Sequence, residues 1–277
     1  MRPLGYTLRR ALGRWGTVAA LSLVVAAVLS GCAGTVGGAG ATGRDWVTES
    51  DEPQARKRAR TRLELATGYF EQGQLTVALD EVKQAIQIDP SFAAAFNLRG
   101  LIYTQLRDYA LAEESFRQAL RLDSRDGDVW HNLGWMYCQD GRYPPSFEAF
   151  ARALQTSGYR SAARTWLAQG VCEVRAGQPE AGERSLTRAF ELDPSNPVTL
   201  YNLALLLHQR GDAARARLYI RRLNNSEFAN AESLWLGIKI ENRLQNYEAA
   251  QQLAEQLRRR FPTSREADAY ERGAFHE

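Results

Sequence analysis

The sequence predicts an all-α solenoid of six helix–turn–helix repeats wound into a right-handed superhelix. Three observations predict it. Tyr69, Tyr103 and Tyr137 stand 34 residues apart, and Ala85, Ala119 and Ala153 repeat the same step. The stretch from Trp130 to Ala153 carries Trp130-x2-Leu133-Gly134-x2-Tyr137, then Gly141, then Phe150 and Ala153. Leu133, Gly134 and Tyr137 share one face of a helix with about 3.6 residues per turn, and Gly134 is small enough to admit a neighbouring helix. Gly141 suits the end of that helix, and Pro144 and Pro145 suit the first turn of the next, where the backbone N–H has no intrahelical partner.

A fixed period of 34 with this pattern is the signature of the tetratricopeptide repeat (TPR). The first repeat, 59–92, carries Leu65-Ala66-x2-Tyr69, Gly73, Ala78, Ala85 and Pro90, with Leu65, Ala66 and Tyr69 expected to point into the stack. The second, 93–126, has Phe96, Gly100, Tyr103, Ala112, Phe116 and Ala119. In the third, 127–160, Ser146 stands where Ala78 and Ala112 stood, one small residue for another. A two-residue insertion follows, because Gly141 and Gly177 are 36 apart while Gly177 and Gly211 return to 34. The fourth repeat, 163–196, then carries Trp166, Gly170, Gly182, Ala189 and Pro194. The fifth, 197–230, has Leu200, Leu203, Ala204, Gly211, Ala216 and Ile220. The sixth, 231–264, keeps Leu234, Tyr247, Ala250, Ala254, Leu257 and Pro262 behind a degenerate first helix, and 265–277 reads as a polar cap.

Ahead of the repeats, Arg2, Arg9, Arg10 and Arg14 precede an apolar run from Thr17 to Leu29. This is the layout of a secretory signal over 1–31, too short to span a bilayer comfortably. The run closes on Leu29-Ser30-Gly31-Cys32, which resembles the lipobox of bacterial lipoproteins. That resemblance implies lipidation of Cys32. With Ala33 rather than aspartate next, it also implies residence at the outer membrane, facing the periplasm. Residues 32–58 read as the lipidated cysteine and a Gly-rich, polar tether reaching about 25 Å.

Composition limits the partners. Of 277 residues 44% are hydrophobic and 24% charged, enough for a sizeable core, and a net charge of +3 favours no particular acidic ligand. The basic clusters Arg221-Arg222 and Arg258 to Arg260 fall late in helical patterns, where cations favour the C-terminal dipole. No zinc, RNP or helix-turn-helix pattern points to nucleic acid. His131, His208 and His276 are scattered, and HExxH, GxSxG, P-loop and CxxC motifs are missing. The expectation is a monomeric protein-binding chain with no catalytic site, cofactor, metal or small-molecule substrate.

Stacked first helices of such repeats line a concave face that binds peptides, helices or protein surfaces. With Leu65, Ala66 and Tyr69 in the stack, Leu63, Thr67 and Phe70 turn towards the groove; the equivalents are Asn97, Leu101 and Thr104, then His131, Trp135 and Cys138. Leu63, Phe70, Leu101, His131 and Trp135 are therefore the candidate partner-binding residues. The other reading is that Leu63 and Phe70 pack against residues preceding Ala59. The Lys and Asn clamp that some TPR proteins use for chaperone C-termini is absent, since Leu63 and Thr67 occupy its places. Cys138 and Cys172, 34 residues apart, fall at nearly equivalent places on adjacent first helices. In an oxidising compartment they form either a disulfide or two buried thiols.

More specific features remain. The segment Asn132-Leu133-Gly134-x2-Tyr137-Cys138-Gln139-x-Gly141-Arg142, then Gly170-Val171-Cys172, Ser233-Leu234-Trp235-Leu236-Gly237-Ile238 and Arg259-Arg260-Phe261-Pro262 together resemble the PilF/PilW family of type IV pilus biogenesis lipoproteins. Met136-Tyr137 departs from the Phe-Leu-like pair expected before Cys138. The resemblance implies a pilotin: a protein that binds the pilus secretin, promotes its outer-membrane placement and multimerisation, and supports pilus stability. An alternative that shares the signal, tether and solenoid is a general envelope scaffold recruiting cell-wall hydrolases or outer-membrane assembly factors.

Overall fold

The computed structural model describes residues 52–275. The signal segment, Cys32, the tether up to residue 51, and His276 and Glu277 lie outside the described residues.

Thirteen α-helices follow one another without a strand among the described residues: α1 Gln54–Glu71, α2 Leu75–Ile88, α3 Ala93–Gln105, α4 Tyr109–Leu122, α5 Gly127–Gln139, α6 Tyr143–Gln155, α7 Ala162–Arg175, α8 Pro179–Leu192, α9 Pro197–Gln209, α10 Ala213–Asn224, α11 Ala231–Arg243, α12 Tyr247–Arg260 and α13 Arg265–Glu271. Local chemistry sets the starts. The Asp126 and Asn196 side chains accept N–H bonds at the heads of α5 and α9, and Asn230 and Ser233 form a reciprocal capping box on α11. Prolines occupy the first turns of α6, α8 and α9. The first helix begins at Gln54, five residues before the expected start at 59, and α11 is a full 13-residue helix rather than a degenerate one.

Each helix packs on its predecessor, and each odd-numbered helix also touches the next odd one; even-numbered helices touch no other even one. The odd helices therefore form the inner, concave side, and the even helices splay on the outside. The core is a chain of inter-repeat clusters in which Phe116 and Phe150 are fully buried. Truncating either ring to alanine would cost about 3–5 kcal/mol. Gly134 is required because a Cβ there would sit 2.7 Å from the Phe150 ring.

The turn inside each repeat needs a left-handed residue. Gly141 supplies it with φ +74°, and Gly73, Gly177 and Gly211 do the same elsewhere. In the second and sixth repeats Arg107 and Gln245 take this conformation instead, at φ 61° and 58°. Leu65 is a correction: it is 42% exposed, while its neighbour Ala66 is fully buried. The α1–α2 contact turns Ala59 and Ala66 inward and leaves Leu65 at the rim.

Candidate functional site

The concave side is lined by α1, α3, α5, α7, α9 and α11. Leu63 and Phe70 are half-buried, leaning on the cluster of Ala59, Ala66, Leu98 and Ile102 while keeping part of their surface open. Leu101 is also half-buried, packed beside Phe96 and Phe116. Between repeats two and three, Asn132 donates to the Asn97 side chain at 3.0 Å and ties α5 to α3.

Trp135 is the best-defined of these side chains. Behind it lies the cluster of Cys138, Phe150 and Cys172, and the Arg175 guanidinium stands 5.3 Å from its ring centroid. The structure joins Cys138 to Cys172 with Cα atoms 5.8 Å apart, and both residues are buried. The link draws α5 against α7 directly under Trp135. A cation over an indole contributes about 0.5–2 kcal/mol, so Arg175 fixes one ring face while the remaining edge stays open.

His131 is a correction as a contact residue. It is only 7% exposed, closed in by the approach of α7 to α5. Its Nδ1 lies 2.9 Å from the Thr165 hydroxyl, which in turn meets the Tyr159 hydroxyl at 2.7 Å, and its ring stands 5.8 Å from that of Phe150. Burial, with the Arg164 charge adding to it, pushes its pKa down to about 3. His131 is therefore neutral at pH 7 and supports the groove floor from inside.

Two features escape a sequence reading. Tyr159 belongs to the segment carrying the two-residue insertion, and its ring fills the space a side chain at Gly127 would need. The break in period was the one signal for it. At the far end of the inner side the Lys239 ammonium stands 5.5 Å from the centroid of the buried Trp235, and its charge reaches His208. Burial lowers the pKa of both Lys239 and His208, and the charges of Lys239 and Arg243 add to the effect on His208. Glu232 and Glu266 also stand close enough to Tyr201, at this end, to push its pKa up alongside burial. Among the described residues no group of His, Cys, Asp and Glu could hold a metal, and no helix is long and apolar enough to cross a membrane.

A stack of two-helix units with an inner groove is a repeat solenoid, an architecture whose extended concave face commonly serves binding. The chain belongs to the tetratricopeptide repeat family, which matches it over residues 63–126, 103–163 and 167–230. It is homologous to the type IV pilus assembly protein PilF of Pseudomonas aeruginosa, with 26% identity over 91% of this chain and 97% of that protein. Two solved structures resemble it over 79% of its length. PilW, described as a widely conserved type IV pilus biogenesis factor, matches with 28% identity, a TM-score of 0.70 and 99% of its own chain. P. aeruginosa PilF matches with 26% identity, a TM-score of 0.68 and 100% of its chain. No enzymatic family is indicated.

Proposed function

We propose that this chain supports type IV pilus biogenesis as a secretin-binding lipoprotein. The observation that carries the proposal is the open apolar strip of Leu63, Phe70, Leu101 and Trp135 on the inner helices of a PilF homologue. Such a strip accepts an extended or helical segment whose apolar side chains leave water, at about 25 cal/mol per Å² buried. Lipid on Cys32 would hold the groove at the periplasmic side of the outer membrane, where multiple acyl chains anchor stably. Bound there, the chain would place secretin subunits and promote their multimerisation.

The test measures the denaturation-resistant secretin multimer in outer-membrane fractions. Strains compared are the deletion, Cys32→Ala, and Phe70→Ala with Trp135→Ala. The expected result is loss of the multimer in the deletion and the groove variant, and its misplacement in Cys32→Ala. A normal multimer in all three strains would sink the secretin role. A normal multimer in the groove variant alone would move the contact off this surface.

A further inference from the structure

We propose that the outer face carries a second docking site, a basic cleft between α4 and α6 that takes an acidic peptide segment of a protein partner. It arises from the splay of the even helices, which opens a wedge over each inner helix. Two of the other wedges are filled. Over α9, the Glu183 carboxylate takes both Arg210 and Arg215, Phe190 meets Tyr219 edge-on at 5.2 Å, and Arg222 covers Phe190. Over α11, Arg221 pairs at 2.8 Å with the buried Glu241. Over α5, Glu113 binds Arg117, Arg142 and Tyr137 at one end only.

The rest of that wedge is open. It forms two adjoining recesses of about 490 and 810 Å³ that share Trp130 and Arg152. The floor is Trp130 and Leu133, and the walls carry Arg117, Arg121 and Arg125 on one side and Arg152 on the other. Two carboxylates share the walls, Asp123 and Glu148, and Asp123 already accepts the Arg125 backbone N–H at 3.0 Å. Arg121 bonds only the neutral Gln118 amide, and Arg125 and Arg152 have no ion pair among the described residues. The cleft therefore holds three guanidiniums outside any ion pair among the described residues, those of Arg121, Arg125 and Arg152, around an apolar floor.

Spacing favours a peptide. Arg117 and Arg121 stand one helical turn apart on α4, about 6 Å along its axis, and Arg125 follows in the turn just beyond the helix end at Leu122. Alternate residues of an extended strand stand about 6.6 Å apart on one side. Arg117 is held by Glu113, so carboxylates of such a segment would meet Arg121 and Arg125, each able to grip a carboxylate in bidentate fashion, while an apolar side chain reaches Trp130. A lipid bilayer fits less well, because Trp130 is recessed and its Nε1–H is held by the Ser124 carbonyl at 3.0 Å. The cleft lies on the face opposite the groove and does not depend on the secretin reading.

The probe is a fluorescein-labelled peptide of sequence Gly-Glu-Phe-Glu-Ser-Glu-Gly, with a lysine-for-glutamate control, titrated by anisotropy against the intact chain at about 50 mM salt. Saturable binding is expected for the acidic peptide only. It should weaken about tenfold in Arg121→Glu with Arg152→Glu, and stay unchanged in Phe70→Ala with Trp135→Ala. Both arginines are exposed, so a thermal melt matching wild type is expected to accompany that loss. The proposal is overturned by equal affinity in the charge-reversed protein, by loss of binding in the groove variant, or by the absence of saturation. It is also overturned if the charge-reversed protein loses binding to phosphatidylglycerol vesicles while no peptide binds, which would make the cleft a lipid contact.

Discussion

At the scale of single residues, the sharpest consequence is acid sensitivity at His131. Its folded pKa lies near 3, far below the unfolded value of 6.5, so the unfolded chain takes up the proton first. The sign follows. The stability tied to a neutral His131 is fully present above pH 6.5 and drains away as pH falls towards 3. By pH 5 the loss is about 2 kcal/mol relative to pH 7. Arg164 and the uncharged Thr165, Tyr159 and Phe150 surround the ring, and none of them carries a negative charge that would stabilise an imidazolium. Thermal melts at pH 7 and 5 should show the excess loss in wild type and most of it gone in His131→Gln. The remainder belongs to His208, which burial also holds low. A wild-type melt that does not move between these pH values would contradict the buried, neutral His131. A second residue-scale prediction concerns Arg107, an exposed side chain held at φ 61° where four other repeats use glycine in the left-handed region. Arg107→Gly removes a strain of about 1–3 kcal/mol at a backbone-entropy cost of about 0.5–1 kcal/mol. The melting midpoint should rise by a degree or more, and a fall would show that the arginine makes up its strain elsewhere.

At the scale of the helix pair, α5 and α7 decide the groove. The bond between Cys138 and Cys172 closes a loop of 34 residues, for which chain entropy gives about 3–4 kcal/mol. Both sulfurs are buried, so reduction needs α5 and α7 to part. Reductant should therefore act slowly on the folded chain, lower its midpoint by several degrees, and loosen Trp135. Free-thiol titration alongside the melt checks this; thiols that react fully in the native chain without a thermal shift would rule it out. The pairing of these helices was legible in the sequence because period places residues. Spacing put the two cysteines on adjacent inner helices, and the same count put Phe116 and Phe150 in the stack. The fine orientation was less legible. Leu65 and Ala66 are one residue apart, about 100° around the helix, and which one faces α2 depends on how the helices approach. His131 occupied a groove position by count, yet the insertion before α7 brings Thr165 and Tyr159 over it. Arg175 over Trp135 is a contact between helices, and no periodicity within one helix records it.

At the scale of the whole molecule, a solenoid has a vulnerable end. Each repeat rests on its neighbours, so the last one needs a cap. Here α13 takes the place of a seventh inner helix, touching both α11 and α12. It lays Tyr270 and Phe275 around Trp235, with ring centroids 6.4 and 5.4 Å from it, and buries Ala267 beside Leu257. The Ser264 hydroxyl caps its start by accepting the Ala267 N–H at 3.1 Å. Ending the chain after Thr263 would expose Trp235 and Leu257, large apolar side chains worth about 1.5–3 kcal/mol each when buried. The exposed end is itself a surface on which another copy can stack. The truncated chain should melt earlier and sediment faster with rising concentration. Hydrogen exchange should accelerate in α11 and α12 while α1 to α4 keep their protection, because coupling decays from repeat to repeat. If protection fell uniformly along the chain, the molecule would be one cooperative block, and the groove could not soften at one end without the other. If it falls only near the cut, then the N-terminal half of the groove, with Leu63, Phe70 and Leu101, keeps its shape when the C-terminal half frays.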